Sequence, residues 1–124
     1  LLRALAKEID GSGVDNVRLL ISEGADVNYR GNQNWTPVLI ASRYSYPEIV
    51  ELLLEEGAEV NVSNNFGMTP LMFAAKYSST PEIVQMLLEK GAEVNVRSPD
   101  GMTPLKFAKT PEIKHLLIDA GAKE

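Results

Sequence analysis

Catalysis requires polar side chains that act together, and this sequence of 124 residues offers few candidates. It contains no cysteine, and its single histidine, His115, lies near the end of the chain. A histidine acts as a general acid or base only where a second polar group orients it, and no motif places such a group beside His115. We therefore expect His115 to be a surface residue, no residue to be catalytic and the protein not to be an enzyme.

Recurring carboxylates are the second feature with possible chemistry. Asp26, Glu59 and Glu93 follow one another at steps of 59−26=33 and 93−59=34 residues. A Ca²⁺ ion takes about six to eight oxygen ligands, whereas this pattern supplies one carboxylate per step. We expect no metal site and no cofactor, and the regular step instead indicates an internal repeat.

Two independent sequence motifs define the repeat. "GADVN" begins at Gly24, and "GAEVN" begins at Gly57 and at Gly91, so the steps are 57−24=33 and 91−57=34. Thr-Pro pairs keep these steps and begin at Thr36, Thr69 and Thr103. A period of this length is typical of proteins that stack one small structural unit several times.

Each unit is predicted to contain two helices. The threonine of each Thr-Pro pair can cap a helix, and proline suits the first turn, where its missing N–H costs nothing. A second start follows at Thr80-Pro81-Glu82 and Thr110-Pro111-Glu112, and Tyr46-Pro47-Glu48 keeps all but the capping hydroxyl. Gly57 ends the helix of "PEIVELLLEEG" in a conformation that only glycine adopts cheaply. Asn34 stands where the later turns have glycine. This change is tolerable because asparagine enters the left-handed region more readily than most residues.

These motifs resemble the ankyrin repeat: Gly-Ala-Asp/Glu-Val-Asn, a turn ending in glycine, Thr-Pro-Leu, a small-residue helix and Glu-Ile-Val with leucines. The resemblance covers nearly the whole chain. It implies an all-α solenoid of stacked helix-turn-helix units with projecting β-turn fingers. It also implies a single domain, residues 1–124, with an N-terminal capping unit (1–28), two full repeats (29–61 and 62–95) and a shortened C-terminal unit (96–124).

Three departures from the family pattern have structural consequences. The position that often holds histidine in the family holds Leu39, Met72 and Lys106, so its usual hydrogen bonds must be replaced by other interactions. The prolines that start the two helices lie 47−37=10 and 81−70=11 residues apart in the full repeats but 111−104=7 in the last unit, which predicts an inner helix shorter by about one turn. We expect "DGSGVDN", which starts at Asp10, to form a mobile loop.

Charge and composition narrow the class of partner. Lys and Arg number 12 against 17 Asp and Glu, a formal net charge of −5, so the broad positive surface of a nucleic-acid or anionic-membrane binder is missing. This balance favours a basic or neutral protein partner. No apolar run approaches the roughly 20 residues of a membrane span. The lack of cysteine is compatible with any redox compartment, which leaves the localisation open.

The aromatic residues select one face. Phe73 and Phe107 take the place of Ile40 in the inner helices, where core packing is the preferred interpretation. The other six rings lie in fingers or at the ends of inner helices, and the outer-helix segments contain none. In ankyrin-like proteins the finger tip, the residue before Thr-Pro and the solvent side of the inner helix usually touch a partner. On this sequence those positions are Asn32, Gln33, Trp35, Arg43, Tyr44, Asn65, Phe66, Met68, Lys76, Tyr77, Asp100 and Met102.

The resemblance thus implies a monomeric, non-catalytic module that binds a protein on the concave face made by fingers and inner helices. We expect Trp35→Ala to weaken binding by about 2 kcal/mol or more and to change stability little. In an alternative interpretation the rings only pad neighbouring fingers. In another, the chain is a spacer or cap from a longer ankyrin array and has no binding site of its own. Its start inside an apparent helix at Leu1 favours this interpretation, and its shortened, charged "GAKE" end opposes it.

Overall fold

The computed structural model describes residues 13–123, and this part of the chain folds into seven α-helices and one short 3₁₀ turn, with no strand. The helices are α1 (Gly13–Ser22), α2 (Pro37–Arg43), α3 (Pro47–Glu55), α4 (Pro70–Tyr77), α5 (Glu82–Glu89), α6 (Pro104–Phe107) and α7 (Pro111–Asp119), and the 3₁₀ turn is Asn32–Asn34. The predicted all-α class is confirmed.

Threonine caps start the inner helices as predicted. The hydroxyl oxygens of Thr36, Thr69 and Thr103 accept hydrogen bonds from the backbone N–H three residues later, at 3.4, 3.2 and 3.3 Å. Thr110 caps α7 in the same way. The prediction for Thr80 is wrong: α5 begins only at Glu82, and the residue at its cap position is proline. Thr80 therefore stands one residue too far from the free N–H groups of the first turn.

The helices form two layers around a continuous apolar core. Helices α2, α4 and α6 pack side by side in an inner layer, α1, α3, α5 and α7 follow one another in an outer layer, and each inner helix packs on the outer helix that follows it. The core fills the space between the layers. Its largest fully buried side chains are Leu39, Ile49, Leu53, Leu71, Met72, Leu87, Ile113 and Leu117.

Leu39 and Met72, which stand at the position often taken by histidine in the family, are both fully buried. Burial of a side chain of this size contributes about 1.5 to 3 kcal/mol. Apolar packing therefore replaces the hydrogen bonds that a histidine would make at this position. The third residue at this position, Lys106, is exposed.

Asparagine side chains join the successive units. The Asn28 amide donates to the Gly57 carbonyl at 3.2 Å and accepts from the Glu59 N–H at 2.8 Å. Asn61 bridges to Gly91 and Glu93 in the same way, and Asn95 bridges to Gly121 and Lys123. One Asn of each "GADVN"-type motif thus satisfies two backbone groups of the next unit, a function that the sequence analysis did not assign.

The two ends of the stack differ. The predicted loop at Asp10 lies partly outside the described residues, and from Gly13 onward its residues are helical, so the prediction of a loop is wrong for that part. At the other end α6 has four residues against eight in α4, which confirms the shortened inner helix. The unit boundaries at Asn28, Asn61 and Asn95 remain predictions.

Candidate protein-binding surface

Three fingers, residues 31–35, 64–68 and 98–102, project beside the inner helices and share one backbone design. In each finger the N–H of the fourth residue bonds to the carbonyl of the first, and the N–H of the first bonds to the carbonyl of the fifth. The fourth position has a positive φ: 62° at Asn34, 76° at Gly67 and 82° at Gly101. Asn34 thus adopts the left-handed conformation that its place in the repeat predicted.

The fingers also contact one another. The Asn34 amide donates to the Asn65 side-chain oxygen at 2.7 Å, and the Asn65 N–H donates to the Gln33 carbonyl at 2.8 Å. Between the second and third fingers, a methyl group placed on Gly67 would collide with the ring of Pro99. The finger tips are therefore ordered by their neighbours, which lowers the entropy cost of binding a partner there.

Trp35 packs on the next unit. Its ring is half-buried and stacks on Phe73, with centroids 5.1 Å apart and planes 18° apart. Phe73 in turn lies 6.2 Å from the Tyr77 ring. Because an aromatic pair contributes about 0.5 to 1.5 kcal/mol beyond its buried area, this stacking argues against the expectation that Trp35→Ala changes stability little. Trp35 thus pads its neighbour, and part of its surface remains accessible.

Cations and rings alternate along the solvent side of the inner helices. The Arg43 guanidinium carbon lies 5.0 Å from the Tyr44 ring centroid and 3.8 Å from that of Tyr77. The Lys76 Nζ lies 5.2 Å from both the Tyr77 and the Phe107 centroids. We call this line of side chains, Tyr44, Arg43, Tyr77, Lys76 and Phe107, the cation–aromatic row. It runs across all three inner helices.

The predicted binding residues fall into three groups. Arg43, Tyr44, Lys76 and Tyr77 come together in the cation–aromatic row. Half-buried residues at the finger bases form the second group, which is Trp35, Met68 and Met102. Exposed residues at the finger tips form the third, which is Asn32, Gln33, Asn65, Phe66 and Asp100. Of the tips, Phe66 offers the largest apolar surface, with 56% of its area exposed.

Two residues of this surface were assigned only to the core from the sequence. Phe73 is buried, as predicted, but it also links Trp35 to the cation–aromatic row. Phe107 is only half-buried and forms the end of the row beneath Lys76. Their shared position in the repeat, 107−73=34 residues apart, was visible in the sequence. Phe107 is less covered than Phe73 because α6 is the last inner helix described, whereas α4 has an inner helix on both sides.

The third finger carries the one carboxylate among the fingers. The Ser98 hydroxyl donates to the Asp100 carboxylate, and this bond, helped by backbone N–H groups and the charge of Lys76, lowers the pKa of Asp100 below its usual value of 3.8. The second finger uses a neutral group instead, because the Asn64 side-chain oxygen accepts from the N–H of Phe66 and of Met68.

His115 is exposed on α7. Within the described part of the chain, no group of three or more His, Asp or Glu side chains stands close enough to hold a metal ion. None of the helices in that part is both long and apolar enough to span a bilayer.

Comparison with protein families decides the classification. A family model described as ankyrin repeats (3 copies) matches residues 4–64, and a second, ankyrin repeats (many copies), matches residues 53–108. Together they cover residues 4–108. The chain belongs to the ankyrin repeat family. A search of curated proteins found no match.

Ankyrin repeats generally mediate protein–protein interactions, and the family is typically non-catalytic. The two layers of helices are therefore an ankyrin solenoid. Because the scaffold is shared and the contact residues vary, what a particular ankyrin chain binds has to be argued from its own surface.

Proposed function

We propose that this chain is a non-catalytic, monomeric module that holds a partner protein on the concave face formed by its fingers and inner helices. The observation that supports this most is the uneven distribution of rings. Helices α3, α5 and α7 contain no Phe, Trp or Tyr, whereas the cation–aromatic row and the fingers contain five of the eight such residues, which are Trp35, Tyr44, Phe66, Tyr77 and Phe107. Of the other three, Phe73 is buried and contacts both Trp35 and Tyr77, and Tyr29 and Tyr46 lie outside the row and the fingers.

Trp35, Tyr44, Phe66, Met68 and Tyr77 are the residues on which we expect the affinity to concentrate. Aromatic residues, Arg and Met are enriched in interface cores, because they bury much area for few rotatable bonds. An interface across both full repeats reaches the standard size of about 1,600 Å² of total buried surface.

Capture of the partner from a lysate of the source organism, followed by titration of the purified partner, tests this function. Phe66→Ala and Tyr44→Ala remove rings that are 56% and 52% exposed, so they should leave folding intact while weakening binding by about 2 kcal/mol, or about thirtyfold in Kd. Leu19→Ala on the outer helix α1 is the matched control, because Leu19 is also 56% exposed. An equal loss with Leu19→Ala would contradict the choice of face.

Trp35→Ala should weaken binding by a similar amount and also destabilise the fold by about 1 to 2 kcal/mol, because its stacking on Phe73 is lost. Urea unfolding measured beside the titration separates the two effects. If the folded chain captures no protein at all, it acts as a spacer within a longer array, and the proposed function is wrong.

A further inference from the structure

The two layers of the solenoid carry opposite charges. The inner helices α2, α4 and α6 contain Arg43, Lys76 and Lys106 and no carboxylate, and Lys109 lies two residues after the end of α6. The outer helices α3, α5 and α7 carry seven carboxylates, which are Glu48, Glu51, Glu55, Glu82, Glu89, Glu112 and Asp119. The net charge of −5 thus conceals an acidic outer layer and a basic inner layer.

Aromatic rings hold two of the cations of the inner face. Within residues 13–123, Arg43 lies against the Tyr44 and Tyr77 rings, and Lys76 lies against the Tyr77 and Phe107 rings and also interacts with the charge of Asp100. A ring face attracts a cation but leaves its N–H donors without a hydrogen-bond acceptor. The charges are therefore held in place while their donors stay available to an anionic group.

We propose that the partner bound on the concave face presents an extended acidic segment whose carboxylates pair with Arg43 and Lys76 while an apolar side chain between them packs on Tyr77. This inference rests on the proposed function, because it specifies the chemistry of that partner. A bidentate pair between a carboxylate and Arg43 is the strongest single contact such a segment can make.

The repeat sets the spacing of the acidic groups. Arg43 and Lys76 occupy the same position in successive units, since 76−43=33, and their helices α2 and α4 pack on one another. Packed helices lie about 8 to 10 Å apart. A segment in the polyproline II conformation advances about 3.1 Å per residue and returns to the same face every three residues. Carboxylates three residues apart, about 9 Å, therefore face the two cations together, and an apolar side chain between them can reach Tyr77.

An acidic partner segment is the opposite of the basic or neutral partner that the net charge alone predicted. A nucleic acid is the other anion that rings and cations bind, by base stacking and phosphate contacts. The row provides few cations for a continuous polyanion, and the acidic outer layer and the overall charge of −5 repel one. A short acidic segment with apolar residues fits the row better.

A labelled peptide, acetyl-Glu-Leu-Phe-Glu-Leu-Phe-Glu-amide, is the probe, and fluorescence anisotropy with the full chain is the measurement. Its isosteric Gln version and its Lys version are matched controls, and a single-stranded oligonucleotide of similar length is the competing class. The acidic peptide should bind at least about tenfold more tightly than the Gln version, more weakly as salt rises, and more tightly than the oligonucleotide.

Variants locate the site. Arg43→Gln combined with Lys76→Gln should abolish the preference for the acidic peptide, and Arg43→Glu with Lys76→Glu should reverse it toward the Lys version. Lys114→Glu makes a similar change on the outer helix α7 and should cost little. Asp100→Asn should strengthen acidic binding a few-fold, about two to five times, because it removes a carboxylate that lies near Lys76.

Three results overturn the inference: equal binding or no binding of all three peptides, tighter binding of the oligonucleotide, or acidic binding that survives the charge reversal. Circular dichroism of each variant confirms that it is folded. If the native partner is captured in a manner sensitive to Phe66→Ala while the acidic peptide does not bind, only this inference fails and the proposed function stands.

Discussion

The second full repeat and the C-terminal unit use the same sequence pattern but bury it differently. Helix α4 buries six of its eight residues, whereas α6 buries only Pro104 and Leu105 of its four. Met72 in α4 is fully buried, and Lys106, at the equivalent position 34 residues later, is exposed. The difference arises because α4 packs against an inner helix on both sides, and α6 is the last inner helix of the stack described.

This comparison separates residues that the repeat itself requires from residues that depend on a neighbour. In a solenoid each unit is stabilised by its own packing and by its interfaces with adjacent units. Thr69 and Thr103 cap their helices equally in both units, so capping is intrinsic to a repeat. Met72, which has a neighbouring inner helix on each side, is fully buried, whereas the last unit places the charge of Lys106 at this position.

The largest effect that we expect from this comparison comes from exchanging the residues at positions 72 and 106. Met72→Lys places a charge at a fully buried position and should reduce the free energy of unfolding by about 3 kcal/mol or more. Lys106→Met changes an exposed position and should alter it by no more than about 0.5 kcal/mol. Urea unfolding followed by circular dichroism measures both. Similar losses in the two variants would show that the C-terminal unit is packed as fully as the second repeat.

A smaller effect on stability is expected at the finger glycines Gly67 and Gly101, which lie in the same two units. Gly67→Ala and Gly101→Ala both force a side chain to a positive φ, 76° and 82°, at a cost of about 1 to 2 kcal/mol. A methyl group on Gly67 also collides with Pro99, whereas one on Gly101 meets no atom within 4 Å. Gly67→Ala should therefore be the more destabilising, by about 1 kcal/mol or more in thermal or urea unfolding.

The double variant Gly67→Ala with Pro99→Ala provides the control for this prediction. Removing the proline ring should recover most of the extra loss of Gly67→Ala and leave the cost of the positive φ. If Gly67→Ala and Gly101→Ala prove equally destabilising, the second and third fingers are not in the close contact described above.

Local signals in the sequence were enough to predict much of this fold. Thr36, Thr69 and Thr103 stand directly before proline, and Gly57 ends a helix, so each effect depends on residues close in the chain. The same reasoning failed at Thr80 because it did not detect that Pro81 itself takes the cap position.

The candidate site was less predictable, because it depends on contacts between units. The positions of Arg43 and Tyr77 follow from the repeat, but the 3.8 Å contact between them joins residues 77−43=34 apart. The stacking of Trp35 on Phe73 is likewise an inter-unit contact. Net charge hid the segregation of charge between layers, since a sum over the chain contains no information about faces.

The smallest effect expected from the comparison is a difference in pH response between the fingers. The second finger is held by the neutral Asn64, whereas the third relies on Ser98 bonded to the Asp100 carboxylate, whose pKa is lowered. A lowered pKa stabilises the folded state above the pKa of the unfolded chain, and this contribution is lost as pH falls through the folded value. Acidification below about 3.8 should therefore loosen the third finger and spare the second.

Carboxyl-carbon NMR titration measures this directly. The Asp100 midpoint should lie below 3.8 in the native chain and rise toward it in Ser98→Ala, because the Ser98 hydroxyl is the largest cause of the shift. Ser63→Ala removes an exposed hydroxyl next to the second finger and should leave the midpoint unchanged. A native midpoint at or above 3.8 would mean that the Ser98 bond does not favour the carboxylate, and the two fingers would then respond alike to acid.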